Sequence, residues 1–118
     1  MQLCSAMPAA ELCHPFGDDT AVFKVVGKMF ALVDLRDSRG SVTLKADPGL
    51  AAALVRQHPQ VSPGYHMDKR HWITIELDDA AAPPLPEGLV EDLVEDSYGL
   101  VVARLPVRLR PPGPAPDR

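Results

Sequence analysis

Along this chain, alternating apolar and polar positions give way twice to a helical period, and that order of patterns predicts its elements. From Thr20 to Val33 the alternation puts Ala21, Phe23 and Val25 on one face of a strand, with Val22, Lys24 and Val26 on the other. Gly27-Lys28 suits a two-residue type II′ turn, because glycine accepts the positive φ that its first position requires. Met29 to Leu35 then reads as the return strand. A second turn, Asp37-Ser38-Arg39-Gly40, leads into Ser41-Val42-Thr43-Leu44-Lys45, with Val42 and Leu44 inward and Ser41, Thr43 and Lys45 outward. These three strands in succession make an antiparallel meander. A further strand runs over Trp72-Ile73-Thr74-Ile75-Glu76-Leu77. Its isoleucines and Leu77 face the core, and Trp72, Thr74 and Glu76 face the other side.

The two helical stretches carry their own start and stop signals. Asp47 is a good N-cap, and Pro48 fits the first helical position, where its missing N–H leaves no bond unmade. Leu50, Ala53 and Leu54 form an apolar stripe, Arg56 and His58 complement the dipole in the last turn, and Pro59 ends the helix. The second helix spans Glu87 to Leu105, with Leu89, Val90, Leu93, Val94, Val101 and Leu105 at helical intervals. Gly99 predicts a kink or break near Tyr98-Gly99. Residues 1–7 read as a short helix stopped by Pro8, and Ala9 to Cys13 as a brief strand. His14-Pro15-Phe16-Gly17-Asp18-Asp19 is a turn rich in breakers, and Asp78 to Pro86 is a linker loop. One domain over residues 1–106 follows, with a Pro-rich flexible tail over 107–118.

Composition narrows the picture. The net charge of −4 argues against attraction to nucleic acid over the whole surface. The charge is segregated, however: Glu87, Glu91, Asp92, Glu95 and Asp96 crowd the last helix and most bases lie elsewhere, so a local cationic face is compatible with it. No apolar run reaches the ~18–20 residues of a membrane span, and the N-terminus lacks a basic leader and apolar core, so a cytoplasmic location is expected. Cys4 and Cys13 have no zinc or redox spacing. There is no phosphate-binding glycine loop, no nucleophile elbow and no paired carboxylates beside a base, so neither catalysis nor a cofactor is expected.

One stretch concentrates the remaining chemistry. Pro63-Gly64-Tyr65-His66-Met67-Asp68-Lys69-Arg70-His71-Trp72 combines two histidines, two adjacent bases, a tyrosine and the single tryptophan. Lys69 and Arg70, with Lys45 and Lys28 from neighbouring elements, suit phosphate contacts, and Tyr65, His66, His71 and Trp72 suit stacking or hydrogen bonding. Three other readings compete. His66 and His71 could hold a metal, but their spacing is not that of a helical zinc pair and no third ligand accompanies them. One histidine could act as a general base oriented by Asp68 or Glu76, but nothing supplies a nucleophile. The loop could also serve structure alone, its polar groups satisfying its own backbone while Tyr65 and Trp72 cap the core.

On these residues the chain resembles the MmcQ/YjbR family of small bacterial proteins. The resemblance runs through Pro15-Phe16-Gly17, Val22-Phe23-Lys24-Val25, Gly27-Lys28-Met29-Phe30-Ala31-Leu32, Leu44-Lys45 with Asp47-Pro48, the Gly-Tyr-His-Met-x-Lys-Arg-His-Trp run at 64–72, and Asp96-Ser97-Tyr98 with Leu100-Val101. It covers roughly residues 3–106 and implies an α+β fold, an antiparallel sheet flanked by helices, of the kind compared with type III secretion chaperones and frataxin-like proteins. It also implies the DNA-binding role, through a double-wing arrangement, with which members are commonly labelled. The chain departs from the family in carrying Asp68 where asparagine is usual, and in an abbreviated first helix. The reading that results is a non-enzymatic binding protein contacting DNA through Lys28, Lys45, Tyr65, His66, Lys69, Arg70, His71 and Trp72, without base-specific readout. The alternative is a protein-interaction module resembling a secretion chaperone.

Overall fold

The computed structural model describes residues 2–35, 40–64, 68, 70–77 and 85–111. Six strands, β1 (Ala10–Cys13), β2 (Thr20–Val25), β3 (Lys28–Asp34), β4 (Ser41–Lys45), β5 (Val61–Pro63) and β6 (Trp72–Glu76), form one sheet. Their order is β1-β2-β3-β4-β6-β5, and every neighbouring pair is antiparallel. Helices α1 (Gln2–Ser5), α2 (Pro48–Gln57) and α3 (Leu89–Ala103) complete an α+β fold. The expected Asp37-Ser38-Arg39 turn, residues 78–84 of the linker and the tail from 112 onward lie outside the described residues.

The core follows from the alternation. Phe23 and Val25, Ala31 and Val33, Val42 and Leu44, and Ile73 and Ile75 share one face of the sheet. Ala51 and Leu54 of α2 and Leu93, Val94 and Val101 of α3 join them in a single buried cluster. Burying a residue of this kind contributes about 1.5–3 kcal/mol, so the helices are held chiefly by this face. Asp47 caps α2 as its sequence predicts, its carboxylate accepting the Gly49 N–H at 3.1 Å. The stripe itself is shifted, since Ala51 and Leu54 are buried while Leu50 stays 38% exposed.

Several expectations need correction. The β2–β3 turn falls on Val26-Gly27, one residue earlier than Gly27-Lys28. Both have positive φ, 51° and 77°, which is the pattern of a type I′ turn, and Val25 pairs with Lys28. A β-branched residue is strained there, and the burial of Val25 and Phe30 outweighs that strain. β5 was not anticipated, being three residues long and ending in proline. Thr43 and Thr74, expected outward, are buried. Their hydroxyls meet across β4 and β6 at 2.9 Å, so each satisfies the other away from water. α3 runs unbroken through Gly99. Past Pro106, where no packed element was expected, a 3-10 turn spans Val107–Leu109. Arg110 then donates to the carbonyls of Ala103 and Leu105, both at 3.0 Å, closing the end of α3.

The ladder between β2 and β3 has one irregularity, which also ends the pairing of β3 with β4. The β2–β3 register slips between Phe23 and Lys24, leaving Phe30 as a bulged residue, and β3–β4 pairing stops at Ala31–Leu44. Ser97, fully buried on α3, fills the gap. Its hydroxyl donates to the Phe30 carbonyl at 2.6 Å and accepts the Lys45 N–H at 2.8 Å, replacing a rung of the sheet with a helix side chain. Tyr98 beside it meets Phe30 edge-on and donates to the Pro8 carbonyl at 2.6 Å, tying down the N-terminal segment. Ser97→Ala leaves a carbonyl and an N–H unsatisfied at nearly unchanged volume. A loss of roughly 2–4 kcal/mol in denaturant-unfolding stability is expected, and a loss below 0.5 kcal/mol would contradict this account.

A candidate nucleic-acid interface at one end of the sheet

Antiparallel pairing decides which loops meet. β3 starts at Lys28, β4 returns and ends at Lys45, β5 ends at Pro63 and β6 starts at Trp72, so all four residues lie at the same end of the sheet. The sequence between β5 and β6, which carries the histidines and adjacent bases, is therefore a hairpin connection beside the end of β4. Of the residues predicted for the site, Lys28, Lys45, Arg70, His71 and Trp72 are brought to this end. Tyr65, His66 and Lys69 lie outside the described residues.

The described part of the hairpin connection is held by its own backbone. The Asp68 carboxylate accepts the Arg70 N–H at 3.0 Å, a side-chain turn that asparagine could make equally well. The Asp68 carbonyl accepts from the His71 and Trp72 N–H groups, and the His71 carbonyl accepts from Ala46 at 2.8 Å, which joins the loop to β4. Arg70 is exposed, and its guanidinium makes no hydrogen bond among the described residues. The His71 side chain is 41% exposed, with its Nε2 4.0 Å from the Asp68 carboxylate. Among the described residues no group of three His, Cys, Asp or Glu side chains could hold a metal.

Lys45 and Trp72 are cross-strand partners, and the Lys45 Nζ lies 6.0 Å from the centroid of the half-buried indole. Burial pushes the Lys45 pKa down, the Arg104 guanidinium pushes it the same way, and Asp68 acts in the opposite direction. Arg104, just past the end of α3, thus acts electrostatically on Lys45, and the sequence reading missed it. A base at the end of a helix reads as a complement to the dipole, but Arg110 performs that role here. Lys28, Lys45, Arg70 and Arg104 form no ion pair among the described residues. The acids of α3, Glu91, Asp92, Glu95 and Asp96, are all exposed.

Gly64 accounts for the tightness of the hairpin. Its N–H donates to the Trp72 carbonyl at 2.8 Å, and a Cβ there would fall 2.6 Å from the Trp72 Cβ and 3.1 Å from its carbonyl atoms. Gly64→Ala must push the two strand ends apart. The expected result is a stability loss of about 1–3 kcal/mol with a shifted tryptophan emission maximum. An unchanged melting curve and spectrum would refute the close approach.

Comparison with known proteins agrees with this fold. The YjbR family model matches residues 5–100. The uncharacterised Escherichia coli protein YbdF is 37% identical over 107 residues, covering 91% of this chain and 84% of its own. The uncharacterised E. coli protein YjbR is 36% identical over 110 residues, covering 93% and 90%. The crystal structure of Deinococcus radiodurans protein DR2400, with a DUF419 domain, is similar at a TM-score of 0.81 and 36% identity. That match covers 92% of this chain and 80% of the other. A Pseudomonas syringae protein of known structure is similar at a TM-score of 0.66 and 28% identity. With the family model matched over residues 5–100 and a relative 36% identical over 93% of this chain's length, the chain belongs to the YjbR family.

Proposed function

We propose that the protein is a non-enzymatic binding protein that takes the phosphate backbone of DNA on the cationic end of its sheet. The observation that carries the reading is the gathering of Lys28, Lys45 and Arg70 at one end with no ion pair among the described residues. Unpaired cations are the groups that gain by displacing the counterions of a polyanion. Trp72 and His71 add ring surface beside them, and Lys69 extends the base run in sequence. Among the described residues no helix carries a row of side chains suited to the major groove; α2 offers little beyond Arg56 and Gln57, which favours backbone contact over base readout.

A second reading draws on a different place. Leu12 on the edge strand β1 is 54% exposed and Phe16 in the following turn is 72% exposed, which favours a protein partner, as for a secretion chaperone.

Salt-titrated anisotropy with a labelled duplex tests the two. For phosphate contacts, log Kd against log salt is steep, and Lys45→Ala with Arg70→Ala lowers the slope by about two and the affinity at least tenfold. Asp68→Asn keeps the acceptor for the Arg70 N–H while removing a negative charge, and tightens binding about two- to fivefold. A salt-independent affinity indifferent to all three substitutions, with the fold intact by circular dichroism, rules out the cationic end.

A further inference from the structure

The cationic end has a composition that a duplex would leave half used. Its cations are few, and between them stands an aromatic ring with an ammonium 6.0 Å from its centroid. A base inside a duplex keeps its faces stacked on its neighbours, so a protein ring can stack only on a base that is unpaired. Gly64, bonded to Trp72 from the adjacent strand end, has no side chain with which to cover the indole. The other cation comes from α3. Arg104 lies seven residues after Ser97 on the same helical stripe, about 10 Å further along the axis, and Ser97 is bonded to the Lys45 backbone. That bond puts Arg104 within roughly two helical turns of the end of β4. The electrostatic influence of Arg104 on Lys45 agrees with that placement. Two cations near one another, the opposing influence of Asp68 on Lys45 being the smaller, form a receptor for a multiply charged oxyanion.

Resting on the phosphate-binding reading above, we propose that Lys45 and Arg104 clasp one phosphate of a single polynucleotide strand while a neighbouring base stacks on Trp72. The ligand class is therefore single-stranded nucleic acid, with the duplex as the weaker partner. Lys28 and Arg70, at the hairpin ends to either side of Lys45, extend the track to adjacent phosphates. Little preference among bases is expected, because every base offers a π face.

Trp72 is the single tryptophan, so the emission of the full chain reports on this site alone. Titration with dT12, with a matched duplex and with inorganic polyphosphate at equal phosphate and equal salt separates the possibilities. The expected result is quenching by dT12, at least about fivefold tighter binding of dT12 than of duplex, and no quenching by polyphosphate. Arg104→Ala is expected to weaken dT12 binding about fivefold with an unchanged melting temperature. Trp72→Ala weakens it about tenfold or more. Since truncating a half-buried indole can itself unsettle the hairpin, Arg104→Ala is the deciding variant. Duplex bound as tightly as dT12, without quenching and without dependence on Arg104, overturns this inference and leaves the cationic-end reading standing. Equal quenching by polyphosphate overturns the stacking of a base. Failure to bind nucleic acid of either form overturns both readings together, and so does equal binding of poly-glutamate.

Discussion

The hydroxyl of Ser97 joins three elements, β3, β4 and α3, at one point. It closes the break left by the bulge at Phe30, supplies the acceptor that the Lys45 N–H loses there, and anchors the middle of α3 to the sheet. A buried polar group with both bonds made is stabilising in context, and a missing partner is costly, so the alignment of helix and strand is specified to within a hydrogen bond's tolerance. The apolar cluster supplies most of the attraction between α3 and the sheet. Leucine and valine contacts are non-directional, however, and would tolerate sliding. The serine removes that freedom.

The candidate site inherits this constraint. Lys45 is the last residue of β4, its backbone held by Ser97 on one side and paired with Trp72 on the other. The hairpin connection then builds onto that strand end through the Ala46–His71 bond and the Gly64–Trp72 approach. Asp68 holds the turn through its carboxylate and carbonyl, so backbone groups satisfy one another and the Arg70 side chain is left to solvent. A loop can in this way be locked in structure and still present its charges. Arg104 comes within electrostatic reach of Lys45 two helical turns after the Ser97 bond.

Much of this was legible locally. Alternation identified the strands from Thr20 to Lys45 and at Trp72, and the Asp47-Pro48 pair marked the start of α2. The apolar stripe of α3 and its solvated acids were likewise plain in the spacing. What failed did so for identifiable reasons. β5 is too short for any period to register, and the turn at Val26-Gly27 places a β-branched residue where local preference would refuse it. Thr43 and Thr74 read as outward because each looks polar alone, whereas together they form a satisfied pair.

Sequence by itself determined the family, the run of strands and helices, and which hairpin concentrates bases and rings, because those depend on residue type and short-range spacing. Tertiary structure alone decided that Ser97, in the midst of an acidic helix, is a buried bridge to Phe30, 67 residues away. It alone brought Arg104 into the neighbourhood of Lys45. A backbone gap has no signature in the residues that flank it, and the side chain that fills it is chosen by the packing of a distant helix. Such a contact exists only once the sheet and α3 have met.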